Sequence, residues 1–118
     1  MPVTLITGTS TGIGQTTALH LARQGHHVFA SMRNPATGSS VLTKAANEEG
    51  LKLDVIQLDV NDPDSSEQAV RDVLEQTGQL DVLITNAGIG GGGPIEETPE
   101  KVLRAVFETN FFGAMRMM

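Results

Sequence analysis

The segment from Thr7 to Gly14 carries the residue types that hold a phosphate group. It follows a short apolar run and reads Thr-Gly-Thr-Ser-Thr-Gly-Ile-Gly. Because glycine lacks a Cβ, Gly8 allows a sharp turn off a strand end, and Gly12 lets backbone N–H groups approach phosphate oxygens. Gly14 lets a following helix pack close to the sheet, with the positive end of its dipole directed at the anion. The spacing Gly-x-x-x-Gly-x-Gly predicts a turn that binds a dinucleotide pyrophosphate, and it differs from the common Gly-x-Gly-x-x-Gly.

The end of the second predicted strand decides which dinucleotide such a turn accepts. A carboxylate there binds the ribose 2′-OH of NAD and repels a 2′-phosphate. The strand ends in Ala30-Ser31-Met32-Arg33 and offers no carboxylate, whereas the planar guanidinium of Arg33 suits a phosphate. We therefore predict NADP(H) rather than NAD(H). The alternative interpretation is that Arg33 is a solvated charge just past a strand end.

Two other strand ends carry short or polar residues. After the third predicted strand, the Asp59 carboxylate can accept from an adenine amine or cap the turn that follows, and Val60 offers an apolar wall. After the fourth, Asn86-Ala87-Gly88 lets the backbone approach a cofactor, and the Asn86 amide can instead bridge adjacent strand ends. Because open α/β sheets bind ligands at the carboxyl ends of their strands, all these positions are predicted to converge.

The elements that position these residues follow from the pattern of apolar runs. The predicted strands are Val3–Thr7, Val28–Met32, Leu51–Leu58 and Leu80–Thr85. Between them we predict helices over Thr16–Gln24 and Ser40–Glu49, a loop over Arg33–Gly38, a helix capped by Asp62-Pro63, and a final helix capped by Thr98-Pro99. Short apolar strands that alternate with helices are typical of a parallel sheet buried on both faces. We predict one domain over residues 1–118, a Rossmann-type, doubly wound α/β sheet of four strands in the order 3-2-1-4.

Composition excludes several classes of function. The 118 residues carry a net charge of −6, and the eight Lys and Arg residues are scattered, which argues against a nucleic-acid partner. There is no cysteine, and the adjacent His26 and His27, which we place at an exposed helix-to-strand turn, do not suggest a metal site. No apolar stretch is long enough to span a membrane, and the first strand begins too early for a targeting peptide, so we expect a cytoplasmic protein. The glycine run Gly90–Gly93 is interpreted as a mobile loop beside a ligand site, with an interdomain linker as the alternative.

These motifs together resemble the N-terminal half of the short-chain dehydrogenase/reductase family. The matching segments are Thr7-Gly8-x-x-x-Gly12-Ile13-Gly14, Asp59-Val60, Leu80-Asp81-Val82-Leu83, Asn86-Ala87-Gly88 and Thr109-Asn110-Phe111-Phe112-Gly113. A finer resemblance, to the branch with 17β-hydroxysteroid and retinol dehydrogenases, rests on Phe29–Arg33, Gly88–Gly90 and Gly93–Ile95.

The resemblance implies an NADP(H)-dependent oxidoreductase that interconverts a secondary alcohol and a carbonyl compound, and a homo-oligomer in the full-length form. Many NADP-dependent members carry a basic residue just before the second glycine, where this chain has Thr11. Arg33 is therefore the main candidate for the 2′-phosphate, with the Ser10 and Thr11 hydroxyls as helpers. Asn110 matches the helix asparagine that anchors a proton-relay water in the family. The implied cofactor-binding residues are Gly8, Ser10, Thr11, Gly12, Ile13, Gly14, Arg33, Asp59, Val60, Asn86, Ala87 and Gly88.

The family also uses a serine to orient the carbonyl and a Tyr-x-x-x-Lys pair to protonate its oxygen, and this chain contains no tyrosine. We therefore expect the chain to be the coenzyme-binding half of such an enzyme, inactive alone, with the catalytic half absent. The apolar segment Phe111–Met118 is expected to drive association. The alternative is a non-catalytic half-domain that binds or senses NADP(H). A different ligand on the same architecture is a third interpretation, because a fold does not fix a function.

Overall fold

The computed structural model describes residues 1–90 and 94–118, and the predicted glycine loop lies outside the described residues except for Gly90. The strands are β1 Val3–Ile6, β2 His27–Met32, β3 Leu53–Gln57 and β4 Val82–Ile84. The α-helices are α1 Gly12–Arg23, α2 Pro35–Gly38, α3 Ser40–Glu49, α4 Pro63–Thr77, α5 Glu100–Phe107 and α6 Ala114–Met117. A 3-10 turn covers Ile95–Glu97, and a π-helical segment covers Glu108–Gly113.

The four strands form one parallel sheet in the order β3-β2-β1-β4, which confirms the predicted topology. Leu5, in the middle of β1, lies between Phe29 of β2 and Leu83 of β4. β4 is shorter than predicted at both ends, and just before its start a side chain takes part in the pairing with β1. There the Asp81 carboxylate accepts from the backbone N–H of Val3 at 2.7 Å.

Apolar side chains cover both faces of the sheet, as the prediction of a doubly wound fold requires. Neighbouring residues of β1 point to opposite faces, so Leu5 and Ile6 belong to two different clusters. One cluster joins the sheet to α4 and α6 through residues such as Val73, and the other joins it to α1 and α3 through residues such as Leu42. The helices on both faces hold the carboxyl ends of the strands in a fixed arrangement.

Three helix predictions need correction. The predicted loop Arg33–Gly38 contains α2, which has Pro35 at its first position, where the fixed φ of proline favours a helix start. The predicted Thr98-Pro99 cap is wrong, because the Thr98 hydroxyl donates to the Pro94 carbonyl at 2.9 Å and Pro99 makes no side-chain cap. The final helix is not continuous, since the π-helical segment separates α5 from α6.

The predicted Asp62 cap is confirmed by a 3.0 Å bond from the Asp64 N–H.

The two adjacent histidines are part-buried rather than exposed. The His26 ring bonds the Thr4 hydroxyl at 2.8 Å, and the His27 ring bonds the Asp54 carboxylate at 2.7 Å. Within residues 1–90 and 94–118, no group of three acidic, histidine or cysteine side chains is arranged to hold a metal ion. No helix in this part of the chain has the length and apolar character to cross a bilayer.

Candidate functional site

A cleft of about 350 Å³ opens over the carboxyl ends of the strands. Every cofactor-binding residue predicted from the sequence lines it. These residues are Gly8, Ser10, Thr11, Gly12, Ile13, Gly14, Arg33, Asp59, Val60, Asn86, Ala87 and Gly88. The cleft also includes five residues that were not predicted, namely Met32, Leu58, Asn61, Ile89 and Thr109.

The glycine turn between β1 and α1 has the geometry expected of a phosphate cradle. Gly8 and Gly12 have φ of +70° and +60°, the left-handed region that favours glycine. A Cβ on Gly12 would meet no described atom within 4 Å, so the space above this backbone is open to a ligand. Gly14 differs, because its Cβ would lie 2.1 Å from the Gly8 carbonyl oxygen. Gly14 therefore lets α1 start directly against the turn.

The Asn86 side chain joins the ends of β1 and β4. Its Nδ2 donates to the carbonyl oxygens of Thr7 and Gly8 at 3.1 and 3.0 Å. In return, the Thr7 hydroxyl accepts from the backbone N–H groups of Asn86 and Ala87 at 3.0 and 2.9 Å. This geometry corresponds to the bridging role predicted for Asn86, and it uses both hydrogens of the amide. Within this side chain, Oδ1 is therefore the atom that could contact a cofactor.

The loop after β3 forms the opposite wall of the cleft. The Asp59 carboxylate accepts from the Asn61 N–H at 2.9 Å, so it makes the turn-capping contact that was the alternative to an adenine contact. The Asp59 N–H donates to the Ser65 hydroxyl at 2.9 Å, which ties the loop to α4. Val60 is only 5% exposed and presents an apolar surface between the polar residues.

A second cavity of about 460 Å³ adjoins the cleft beside Arg33. It lies between the glycine turn and the start of α3, and it shares Ser10, Thr11 and Arg33 with the cleft. Its other lining residues are Gln15, Asn34, Thr37, Gly38, Ser40 and Val41. A Cβ on Gly38 would lie 2.9 Å from the Ser10 Cβ, so the glycine lets α2 contact the turn.

Sequence reasoning missed the hydroxyls of Thr37 and Ser40. It treated Arg33–Gly38, which contains Thr37, as a loop, and it placed Ser40 at the start of a helix without a contact to the glycine turn. The sequence signal that could have found them is Pro35, because proline is frequent at the first position of a helix. A helix at this point brings Gly38 close to Ser10 of the glycine turn. Arg33 itself is exposed and forms no ion pair within the described part of the chain. Its charge is therefore available to an anion in this cavity.

Asn110 lies in the π-helical segment and does not line the cleft. Its Oδ1 accepts from the Ile89 N–H at 2.7 Å, and its Nδ2 donates to the Ile89 carbonyl at 2.8 Å. Ile89 does line the cleft, so Asn110 fixes the backbone at the cleft wall from behind. One lone pair and one N–H of the Asn110 amide are not used by these two bonds.

The fold and the cleft define the class of the protein. A parallel sheet of order 3-2-1-4, a glycine turn at the end of its first strand and a cleft over the strand ends together make a Rossmann-type α/β protein. A family model described as short chain dehydrogenase matches residues 2–118. The chain belongs to the short-chain dehydrogenase/reductase family.

Curated relatives and solved structures agree with this assignment. The chain is 41% identical over 117 residues to retinol dehydrogenase 8 of Bos taurus, and 36% identical over 115 residues to 3-ketodihydrosphingosine reductase of Bacteroides thetaiotaomicron. These matches cover 97% and 98% of the chain but only 37% and 39% of the two relatives. A variant of actinorhodin polyketide ketoreductase, solved with NADPH, has a TM-score of 0.90 at 35% identity, covering 98% of the chain and 44% of that structure. An alcohol dehydrogenase from Thermococcus sibiricus, complexed with 5-hydroxy-NADP, has a TM-score of 0.90 at 33% identity, covering 99% and 50%.

Proposed function

We propose that this chain is the coenzyme-binding part of an NADP(H)-dependent oxidoreductase that interconverts a secondary alcohol and a carbonyl compound. The observation that carries the proposal is the pair of joined cavities, one over the glycine turn and one beside Arg33. The first suits a dinucleotide, and the second adds a cation and several hydroxyls where a 2′-phosphate would lie. The names of the relatives support a reaction between an alcohol and a carbonyl compound, since they include a retinol dehydrogenase and a 3-ketodihydrosphingosine reductase.

The described residues fit the cofactor. Backbone N–H groups at Gly12 and the N-terminus of α1 would hold the pyrophosphate, because the space above Gly12 is open and the helix dipole favours an anion. Val60 would lie against the adenine ring, and Arg33 would bind the 2′-phosphate with the Ser10 and Thr11 hydroxyls. Bound NADPH supplies a hydride to a carbonyl carbon.

The roles proposed above for the residues of this chain are to bind and orient the cofactor. None of these residues is proposed as the proton donor. No tyrosine is present in the 118 residues, so the family's Tyr-x-x-x-Lys pair has no counterpart here. We propose that the proton donor lies in a separate region of the protein. That region would correspond to the part of the relatives that lies outside the match with this chain. The absence of tyrosine equally supports the second candidate, an NADP(H)-binding module without catalysis. The two candidates are distinguished in a longer protein that contains this chain. Proton transfer to a carbonyl compound in that protein supports the oxidoreductase, and its absence supports the binding module.

The proposal is tested by titrating the chain with NADPH and NADH while following nicotinamide fluorescence and thermal unfolding. We expect saturable binding with tighter affinity for NADPH, and we expect Gly12→Ala to weaken both dinucleotides at least tenfold. The matched control is Gly50→Ala, because Gly50 has φ +65° and an equally open surrounding but lies outside the cleft. Both substitutions carry the same left-handed strain, of about 1–2 kcal/mol. Equal binding by the two folded variants would mean that the glycine segment is only a turn.

We also propose that the protein associates through the outer face of α5, the π-helical segment and α6. Phe107, Phe111, Phe112 and Met115 are each at least half exposed there, and contiguous apolar surface of this kind marks an interaction site. Sedimentation velocity is expected to show dimers or larger species at micromolar concentration. A Phe111→Asn and Phe112→Asn double variant is expected to shift the distribution to monomer, and a monomeric wild-type chain at the same concentration contradicts the proposal.

A further inference from the structure

The π-helical segment Glu108–Gly113 contacts two loops that lie on different sides of the cleft. On one side, the Thr109 hydroxyl accepts from the Asn61 amide at 2.9 Å. On the other side, Asn110 makes its two hydrogen bonds to the backbone of Ile89. Asn61, Ile89 and Thr109 all line the cleft. Two consecutive residues of one helical segment therefore hold two walls of one cavity.

The contact with the loop after β3 is close and has several parts. A Cβ on Gly113 would lie 2.7 Å from the Val60 Cγ2, so only glycine lets the segment approach this near. Arg116, in α6, donates to the Val60 carbonyl at 3.0 Å. The other end of its guanidinium pairs with Glu108, the first residue of the π-helical segment. Arg116 thus ties the first residue of the segment to the Val60 carbonyl, while Gly113, the last residue, lies directly against the Val60 side chain.

The π-helical geometry has a consequence for how these contacts are arranged. A π segment places one extra residue in a turn, which changes the direction of the side chains that follow, and such segments are frequent at functional sites. Thr109 is 8% exposed and Val60 5% exposed, so the contact on this side lies within the protein. Packing alone does not require hydrogen bonds to both loops, yet the segment makes them with adjacent side chains.

We propose that the π-helical segment and Arg116 act as a brace that sets the spacing between the loop at Asp59–Asn61 and the backbone at Gly88–Ile89. Asn61, Thr109 and Arg116 are positioning residues for the two ends of the bound dinucleotide. Their role toward a dinucleotide rests on the proposed function, whereas the mechanical link between the two loops does not. Arg116 is the informative member, because it does not line the cleft.

The link is tested by amide hydrogen exchange of the full chain, measured by NMR. The Ile89 N–H, which donates to Asn110, is expected to exchange at least tenfold faster in Asn61→Ala and in Arg116→Met. The matched controls are Asn47→Ala and Arg104→Met, which change exposed helical residues that do not line the cleft. The Arg104 side chain donates to Glu100, in its own helix. The amide of Leu5, in the sheet core, serves as the reference for global opening. An Ile89 rate that rises only in proportion to the Leu5 rate, or not at all, overturns the proposal.

A second measurement connects the brace to ligand binding. Adenosine 2′,5′-bisphosphate is used as the probe, because it carries the adenine end of the cofactor and lacks the nicotinamide. In the wild-type chain, the bound probe is expected to slow exchange at Ile89 at least threefold, and Arg116→Met is expected to abolish that slowing at saturation. Retained slowing in Arg116→Met contradicts the brace. A wild-type chain that binds neither this probe nor NADPH contradicts the proposed function instead. In that case the brace is still tested by the exchange rate of the Ile89 N–H in the ligand-free variants.

Discussion

Arg33→Asp is expected to weaken NADPH binding at least 100-fold while NADH binding changes less than threefold. Arg33 is exposed, lines both cavities, and forms no ion pair within the described residues. Charge-assisted hydrogen bonds to a phosphate are each worth about 1.5–3 kcal/mol. The substitution removes them and adds a carboxylate that repels the 2′-phosphate. A 100-fold change corresponds to about 2.8 kcal/mol, which these two effects supply together.

The control for Arg33→Asp is Arg71→Asp, which makes the same change of net charge on the exposed surface of α4, outside the cleft. It separates a local phosphate contact from general repulsion by a chain that already carries a net charge of −6. The NADPH preference that we expect for the wild type should also fall as salt is raised, because an exposed charge pair is screened. Equal losses for NADPH and NADH would remove Arg33 from the 2′-phosphate site.

Gly14→Ala is expected to destabilise the fold by about 2–3 kcal/mol and to abolish dinucleotide binding. Helix propensity alone predicts the opposite sign, because alanine is about 1 kcal/mol more favourable than glycine inside a helix. Steric overlap decides the outcome. The new Cβ would lie 2.1 Å from the Gly8 carbonyl oxygen and 2.5 Å from the Asn86 Nδ2. Both atoms are held by the bridge between β1 and β4, so α1 would have to move away from the turn.

Urea denaturation measures this effect, with Gly90→Ala as the control. Gly90 has no positive φ, like Gly14, and no described atom lies within 4 Å of its Cβ position. The same substitution is therefore expected to leave the denaturation midpoint nearly unchanged at Gly90 and to lower it strongly at Gly14. An unchanged midpoint for Gly14→Ala would show that the start of α1 can shift at little cost.

Much of the cleft could be predicted from the sequence because its residues lie at strand ends. Once β1 and the glycine turn are recognised, a parallel sheet brings the ends of β2, β3 and β4 to the same edge. Arg33, Asp59 and Asn86 then follow from their positions just after apolar runs. The same logic does not reach Thr37 and Ser40. Thr37 lies within the one-turn helix α2 and Ser40 lies just after it, and the direction of α2 depends on the contact between Gly38 and Ser10.

The π-helical segment could not be predicted, because it is not encoded in local propensity. The sequence from Glu100 to Met117 has the periodicity of one continuous helix, and the interruption accompanies tertiary contacts. Gly113 meets Val60, and Arg116 bonds both Val60 and Glu108. Asn110 was identified only through the family resemblance, and its two bonds to Ile89 depend on how the segment and that loop meet in space.

The position of β1 in the sheet has a consequence for synthesis on the ribosome. β1 is one of the two inner strands and is made before the other three, but one of its two neighbours is β4, and Val3 lies 78 residues before its partner Asp81. At 5–20 residues per second, about 4–16 s pass before that partner is translated. During this interval one edge of an apolar strand has no partner from its own chain, and unpaired edges of this kind invite pairing with other chains. The nascent chain therefore has its greatest exposure to misassembly before β4 emerges, and faster elongation between α3 and β4 would shorten it.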